Sequence, residues 1–137
     1  AALLLGSIMV LTYAFPVVVV DGDSMMPTLR NGQVVIAWRL PSRLRKGDIV
    51  LMRRNREILV KRIVYLPRQF LQPLDRPLFR HLADYFEVGQ APDSLRVPPG
   101  RYIVMGDNVA NSDDSRHFGP VPRRDIVARV LGALPFP

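Results

Sequence analysis

Residues 56–66, Arg56-Glu57-Ile58-Leu59-Val60-Lys61-Arg62-Ile63-Val64-Tyr65-Leu66, decide the fold. Apolar and β-branched residues dominate this run and Pro67 closes it, which predicts a strand. Side chains alternate along a strand, so Lys61 shares one face with Leu59 and Ile63, and Arg62 shares the other with Val60 and Val64. A lysine in such a run has two readings. Its stem can cross apolar surface while the ammonium reaches water, or the amine is buried and loses its proton through desolvation and nearby cations. The choice of residue is informative, because Lys61 and Lys46 are the two lysines beside 17 arginines, and arginine does not give up its proton. Lys46 lies in a charged turn.

Outward from this strand, Lys46-Gly47-Asp48 reads as a turn into the strand IVLMR, and QVVIAW (33–38) as an earlier strand. Between Val17–Val20 and that strand lies the Gly-, Asp- and Pro-rich loop DGDSMMPTLRNGQ (21–33), which can project the Ser24 hydroxyl. Residues 67–100 carry six prolines and read as loops around one short helix, LFRHLADYF (78–86), with Leu78, Leu82 and Phe86 at helical spacing. RYIVMGDN (101–108) returns to strand and turn, and DIVARVLGAL (125–134) supplies a closing strand. Short strands, 13 Pro and nine Gly in 137 residues exclude a bundle of long helices. The expected architecture is a mainly β, compact antiparallel β-sheet domain.

Residues 1–20 hold no charge, whereas residues 30–80 hold 13 Lys/Arg against three Asp/Glu. Basic character of this kind suits an anionic membrane surface or nucleic acid. The chain lacks the motifs of an RNA-recognition sheet, a zinc finger or a basic zipper, so nucleic acid is not an expected partner. Without Cys, and with His81 and His117 as its two histidines, a thiolate or ordinary multi-histidine metal site is excluded, and no metal or cofactor is expected. Pro16 divides the apolar start. Residues 1–15 read as the C-terminal part of a membrane anchor helix, although about 22 Å of helix falls short of a bilayer core, with a signal peptide or a plain core strand as the other readings of the apolar start. Residues 16–137 read as one β-domain.

Ser24 is a weak nucleophile unless a base takes its proton, and Ser-Lys pairs are one solution. A Ser-His-Asp arrangement through His117 stays open, as does a polar hairpin of Asx turns at GDNVANSDDSRHFGPVP (106–122). Taken together, four stretches in order resemble the type I signal peptidases, membrane-anchored Ser-Lys proteases. They are Ser24-Met25-Met26-Pro27-Thr28-Leu29, Lys46-Gly47-Asp48-Ile49-Val50, Lys61-Arg62-Ile63-Val64, and Gly106-Asp107-Asn108 through Ser112, Asp114-Ser115-Arg116 and Phe118-Gly119.

The resemblance implies a fold of the signal-peptidase type, with residues 16–137 as the catalytic domain, and cleavage of signal peptides from exported preproteins after small residues. Ser24 would be the nucleophile and Lys61 the general base, with Ser112 orienting the amine and Asp114 and Arg116 bracing the site. It implies oxyanion donors from the backbone of Ser24 and Gly22, and Met25 as a pocket wall. Partners would be preprotein signal peptides and membrane lipid. The site would face outward at a bacterial plasma membrane, or sit at a mitochondrial inner membrane or thylakoid. Three departures accompany the match: Gly22 stands where some relatives have Ser, Tyr65-Leu66-Pro67-Arg68-Gln69 replaces the usual Gly-Leu-Pro-Gly-Asp turn, and Val109 stands where many have Arg. Two further readings are a self-cleaving Ser-Lys regulator and a non-enzymatic basic module for membrane surface or nucleic acid.

Overall fold

A computed structural model describes residues 2–39 and 43–135. A helix, α1 (Ala2–Ala14), leads into a short strand, β1 (Val17–Val19). There follow β2 (Val34–Trp38), β3 (Ile49–Arg54) and β4 (Glu57–Tyr65). Next come helix α2 (Arg76–Phe79), the small ladder β5 (Glu87–Val88) with β6 (Leu95–Arg96), and β7 (Arg101–Met105). Helix α3 (Ser115–Phe118), β8 (Val121–Pro122) and β9 (Ile126–Ala133) complete the chain. Seven strands form one antiparallel sheet in the order β1-β2-β9-β3-β4-β7-β8. The result is a mixed β/α domain built on that sheet.

The predicted strand is β4, the longest in the molecule, and β3 pairs with it residue for residue from Ile49–Arg62 to Arg54–Glu57. Paired residues share a face, which explains how the interior divides. Val60, Leu51 and Ala128 lie abreast and join Val20, Met25, Leu29, Val35 and Ala37 in one buried cluster. Val50 lies abreast of Lys61 and belongs to a second cluster with Met52, Ile63, Val104, Val121 and Ile126. Lys61 therefore stands on the same side as Ile63, as alternation requires. A third cluster, around Phe79, Phe86, Leu71 and Ile103, roots the proline-rich segment against the end of β4.

Within that segment the expected helix over 78–86 is replaced by two shorter pieces. Pro77 opens α2, where its missing N–H costs no hydrogen bond, and a tighter 3-10 turn over Arg80–Tyr85 breaks at Leu82. Phe79, fully buried, takes the anchoring place expected of Leu78 and meets Phe86 edge-on at 5.7 Å between ring centres. Helix α1 carries exposed apolar residues, among them Leu4, Leu5, Met9, Val10 and Leu11. No helix among the described residues is long and apolar enough to cross a membrane.

Leu51, 1% exposed and held between β4 and β9, measures the first cluster. Leu51→Ala is expected to lower the unfolding free energy by about 2–5 kcal/mol in urea titration, because burial is lost and a cavity remains.

Candidate active site

The loop after β1 is pinned at both sides of Ser24. Val20 exchanges backbone hydrogen bonds with Gln33 and Gly32, both at 2.8 Å, which closes the loop at its base. Met25 and Leu29 then plunge into the first cluster, and the Leu29 N–H donates to the Met25 carbonyl at 3.0 Å. Ser24 is left half-buried at the rim. Met25, expected as a pocket wall, is 0% exposed, so its side chain offers no surface in this conformation. Gly22, expected as an oxyanion donor, has its N–H committed to Asn31 Oδ1 at 2.8 Å and is not free for that task. Its φ of +92° suits glycine and would strain a serine at this position. The Ser24 N–H and hydroxyl make no hydrogen bond among the described residues.

On β4, Lys61 is 3% exposed, and its Nζ donates to Ser112 Oγ at 3.1 Å. The Ser112 hydroxyl in turn donates to Asp114 Oδ2 at 2.8 Å. Because the single proton of Ser112 is spent on Asp114, Ser112 can meet Lys61 only as an acceptor. A neutral Lys61 amine then keeps its lone pair directed elsewhere. Burial lowers the Lys61 pKa; Asp114 and, less, Asp113 oppose that shift, and Arg116 adds to it.

Asp114 is wholly buried and saturated with donors. Arg116 grips it through Nε and Nη2, both at 2.9 Å, and the Gly106 N–H donates at 3.0 Å. Burial alone would raise the Asp114 pKa, but the bonds from Arg116, Gly106 and Ser112 together hold it below the usual carboxylate range. Asp114 also caps α3 by accepting from the Arg116 N–H, while His117 Nδ1 accepts from the Asp114 N–H. His117 is exposed and turned toward this cap and Asp113, not toward Ser24.

Gly106 joins the two halves. A β-carbon there would lie 2.2 Å from Ser112 Oγ and 2.5 Å from the Ser24 carbonyl oxygen, so the Ser24 loop and the Lys61–Ser112 chain pack against the same missing side chain. The contact is fastened by the Asn108 N–H, which donates to the Ser24 carbonyl at 2.8 Å. By pattern alone Gly106 reads as a turn residue, because the close approach that requires glycine comes from the fold of the loop to Ser112 and from Ser24, far away in the chain. Pattern also leaves Thr28 and Arg62 without a role. Asp107 accepts from Thr28 at 2.5 Å and from Arg62 Nε and Nη2 at 2.9 and 2.8 Å, clamping the Ser24 loop to the residue beside Lys61. Arg62 holds the Asp107 pKa down against burial, helped by Thr28.

A cleft of about 290 Å³ opens on the Arg62 side of β4, lined by Leu29, Asp48, Ile49, Arg62 and residues 130–133. Ser24, Lys61 and Ser112 do not line it. The geometry thus brings Lys61, Ser112, Asp114 and Arg116 into one hydrogen-bonded chain. Ser24 is tied beside that chain by its backbone carbonyl, which accepts from Asn108 and abuts Gly106.

Comparison with known proteins finds a match to the family described as signal peptidase, peptidase S26, over residues 1–78 and 79–134. The chain is 34% identical to signal peptidase I of Bacillus caldolyticus, covering 86% of this chain and 78% of that protein. It is 40% identical to the mitochondrial ATP-independent inner membrane protease subunit 1a of Arabidopsis thaliana, covering 82% of this chain and 66% of the other. It is also 32% identical to an inactive signal peptidase IA of Staphylococcus aureus, covering 86% of this chain and 78% of that one.

Two stability measurements probe this arrangement. The folded Lys61 pKa lies below the ordinary 10.5, so between the two values the unfolded chain binds a proton that the folded chain has lost. Unfolding free energy therefore rises with pH across that window, and Lys61→Met is expected to remove this part of the slope in pH-dependent urea titrations. Gly106→Ala is expected to cost about 1–3 kcal/mol in the same assay, since the new methyl displaces Ser112 or the Ser24 carbonyl.

Proposed function

This chain belongs to the signal peptidase family, peptidase S26, and on that premise we propose that Ser24 and Lys61 form its nucleophile and general base. Membership makes it a peptidase with a role in processing exported proteins. The observation that carries the finer reading is the buried Lys61 amine, hydrogen-bonded to a serine whose own proton is held by Asp114. One similar relative is named inactive, so likeness alone does not decide activity. The presence of Ser24 and of a desolvated Lys61 supports an active enzyme.

In this reading Ser24 Oγ attacks the scissile carbonyl carbon as its proton passes to the Lys61 lone pair. The tetrahedral intermediate collapses when Lys61 returns that proton to the leaving amine, breaking the C–N bond and leaving an ester on Ser24. Lys61 then takes a proton from water, hydroxide adds to the ester, and the Ser24 oxygen leaves with the proton restored. Ser112, Asp114 and Arg116 act by position. They fix the amine, while the Arg116 charge offsets the carboxylate that would otherwise hold Lys61 as an ammonium.

The unspent Ser24 N–H suits an oxyanion that develops beside it. Attack requires the Ser24 hydroxyl to approach Lys61 more closely than in the free enzyme, as catalytic hydrogen bonds often tighten when substrate binds. The substrates would be preproteins cut after small residues, with residues 1–15 as part of an anchor and residues 16–137 as the catalytic domain. A membrane-associated site on the outer face of a bacterial plasma membrane follows from the same reading.

The test is multiple-turnover cleavage of a preprotein with an A-x-A-like site in detergent micelles. Ser24→Ala and Lys61→Met, shown by circular dichroism to be folded, are each expected to lose at least about 1,000-fold in kcat. Wild-type kcat/KM should rise with pH along a limb below the ordinary lysine value of 10.5, because the free base must be neutral. Cleavage that survives Ser24→Ala would reject the nucleophile, and a flat pH profile would reject the base.

A further inference from the structure

One corner of the sheet carries groups that the catalytic site does not use. There the end of β2 abuts the end of α1: the Arg39 N–H donates to the Ala14 carbonyl at 2.8 Å, and the Ala37 N–H to the Pro16 carbonyl at 3.0 Å. Arg39 Nε donates to the Tyr13 carbonyl at 2.8 Å, and its guanidinium stacks 4.6 Å from the centre of the Tyr13 ring. Beside it Trp38 pairs across the sheet with Arg129, whose guanidinium lies 5.5 Å from the indole ring. Neither arginine meets a carboxylate among the described residues. The aromatic faces orient both cations, and most of their N–H donors remain unspent.

What this corner faces can be read from its neighbours. The helix ending at Ala14 exposes apolar side chains along its length, and Phe15, Val17 and Val19 continue that exposure onto β1. An uncharged helix whose last turn carries Tyr13 and abuts the corner of the sheet holding Trp38, Arg39 and Arg129, with both arginines free of carboxylate partners among the described residues, has the order of chemistry found from acyl chains to headgroups. A planar, weakly hydrated guanidinium matches a phosphate diester better than an ammonium does.

We propose that Tyr13, Trp38, Arg39 and Arg129 form a collar that seats the domain on anionic phospholipid headgroups where α1 enters the bilayer. This rests on the membrane-associated reading above and adds to it a specific contact and a lipid preference. Two arginines at such a surface are worth about fivefold each in affinity, or about 25-fold together, where the bilayer carries phosphatidylglycerol.

The experiment floats the full chain on vesicles of phosphatidylcholine, with and without phosphatidylglycerol. Trp38 is the one tryptophan in the chain, so its emission reports depth directly. Tighter binding to the anionic vesicles is expected, weakened by salt, with Trp38 quenched more by shallow than by deep brominated lipids. Arg39→Gln with Arg129→Gln should abolish the preference without changing preprotein cleavage in micelles, which shows that the variant is folded. Replacing both by Lys should retain part of it. Equal binding to the two vesicle types, or a preference that survives the double Gln substitution, would overturn the collar and leave membrane association standing. Failure of the wild type to bind either vesicle would overturn both.

Discussion

The buried Asp114 carboxylate is the charge on which the site depends. Burying a lone carboxylate is costly, and its attraction to Arg116 does no more than repay that cost in many proteins. Its value lies in what else it orders. It accepts from two Arg116 side-chain nitrogens, the Arg116 and Gly106 backbone N–H groups, and the Ser112 hydroxyl. Those bonds fix the first turn of α3, the end of β7 and the direction of the Ser112 proton at once. With that proton assigned, the polarity of the Lys61–Ser112 bond follows without further choice.

The same carboxylate works against the chemistry unless it is answered. An anion close to Lys61 favours the ammonium, which has no lone pair to accept the proton that the proposed mechanism takes from Ser24. Arg116 answers it by drawing the Asp114 charge into a two-bond grip and adding a cation that pushes the Lys61 pKa down. Desolvation is the largest influence on Lys61, and it acts because Val50, Ile63 and Val104 fill the face from which the amine projects. Packing thus sets the base, and the salt bridge keeps its orienting anion from undoing that setting.

Local pattern revealed what local physics controls. Lys61 stands out because a lysine in an apolar alternating run is unusual, and strand geometry alone names its face. The turn at Gly47, the strands β3 and β4 and the uncharged first helix were legible for the same reason. Three features were not. Gly106 requires glycine because Ser112, folded back across the following loop, and Ser24, from a distant stretch, both approach it, and spacing says nothing of that contact. The Gly22 N–H is lost to Asn31, whose role in closing the loop depends on the loop's shape. Leu78 had the helical period, but Pro77 and the breadth of the third cluster made Phe79 the anchor.

Least legible was the position of the final strand, since long-range pairing leaves no mark on a short apolar run. β9 does not extend an edge but inserts between β2 and β3. The Ser24 loop hangs from β1 and β2, and Lys61 stands on β4 beside β3, so β9 joins the two halves of the candidate site. Its pairs with β2 run from Val35–Ala133 to Trp38–Arg129, and those with β3 from Val50–Arg129 to Met52–Ile126. Without this strand, Leu51 and Ala37 have no common wall, and the first cluster that holds Met25 and Leu29 divides. The separation of Ser24 from Lys61 is therefore set by the last strand of the sheet as much as by the residues around them. A chain lacking β9 would keep both residues but not the frame that brings them together.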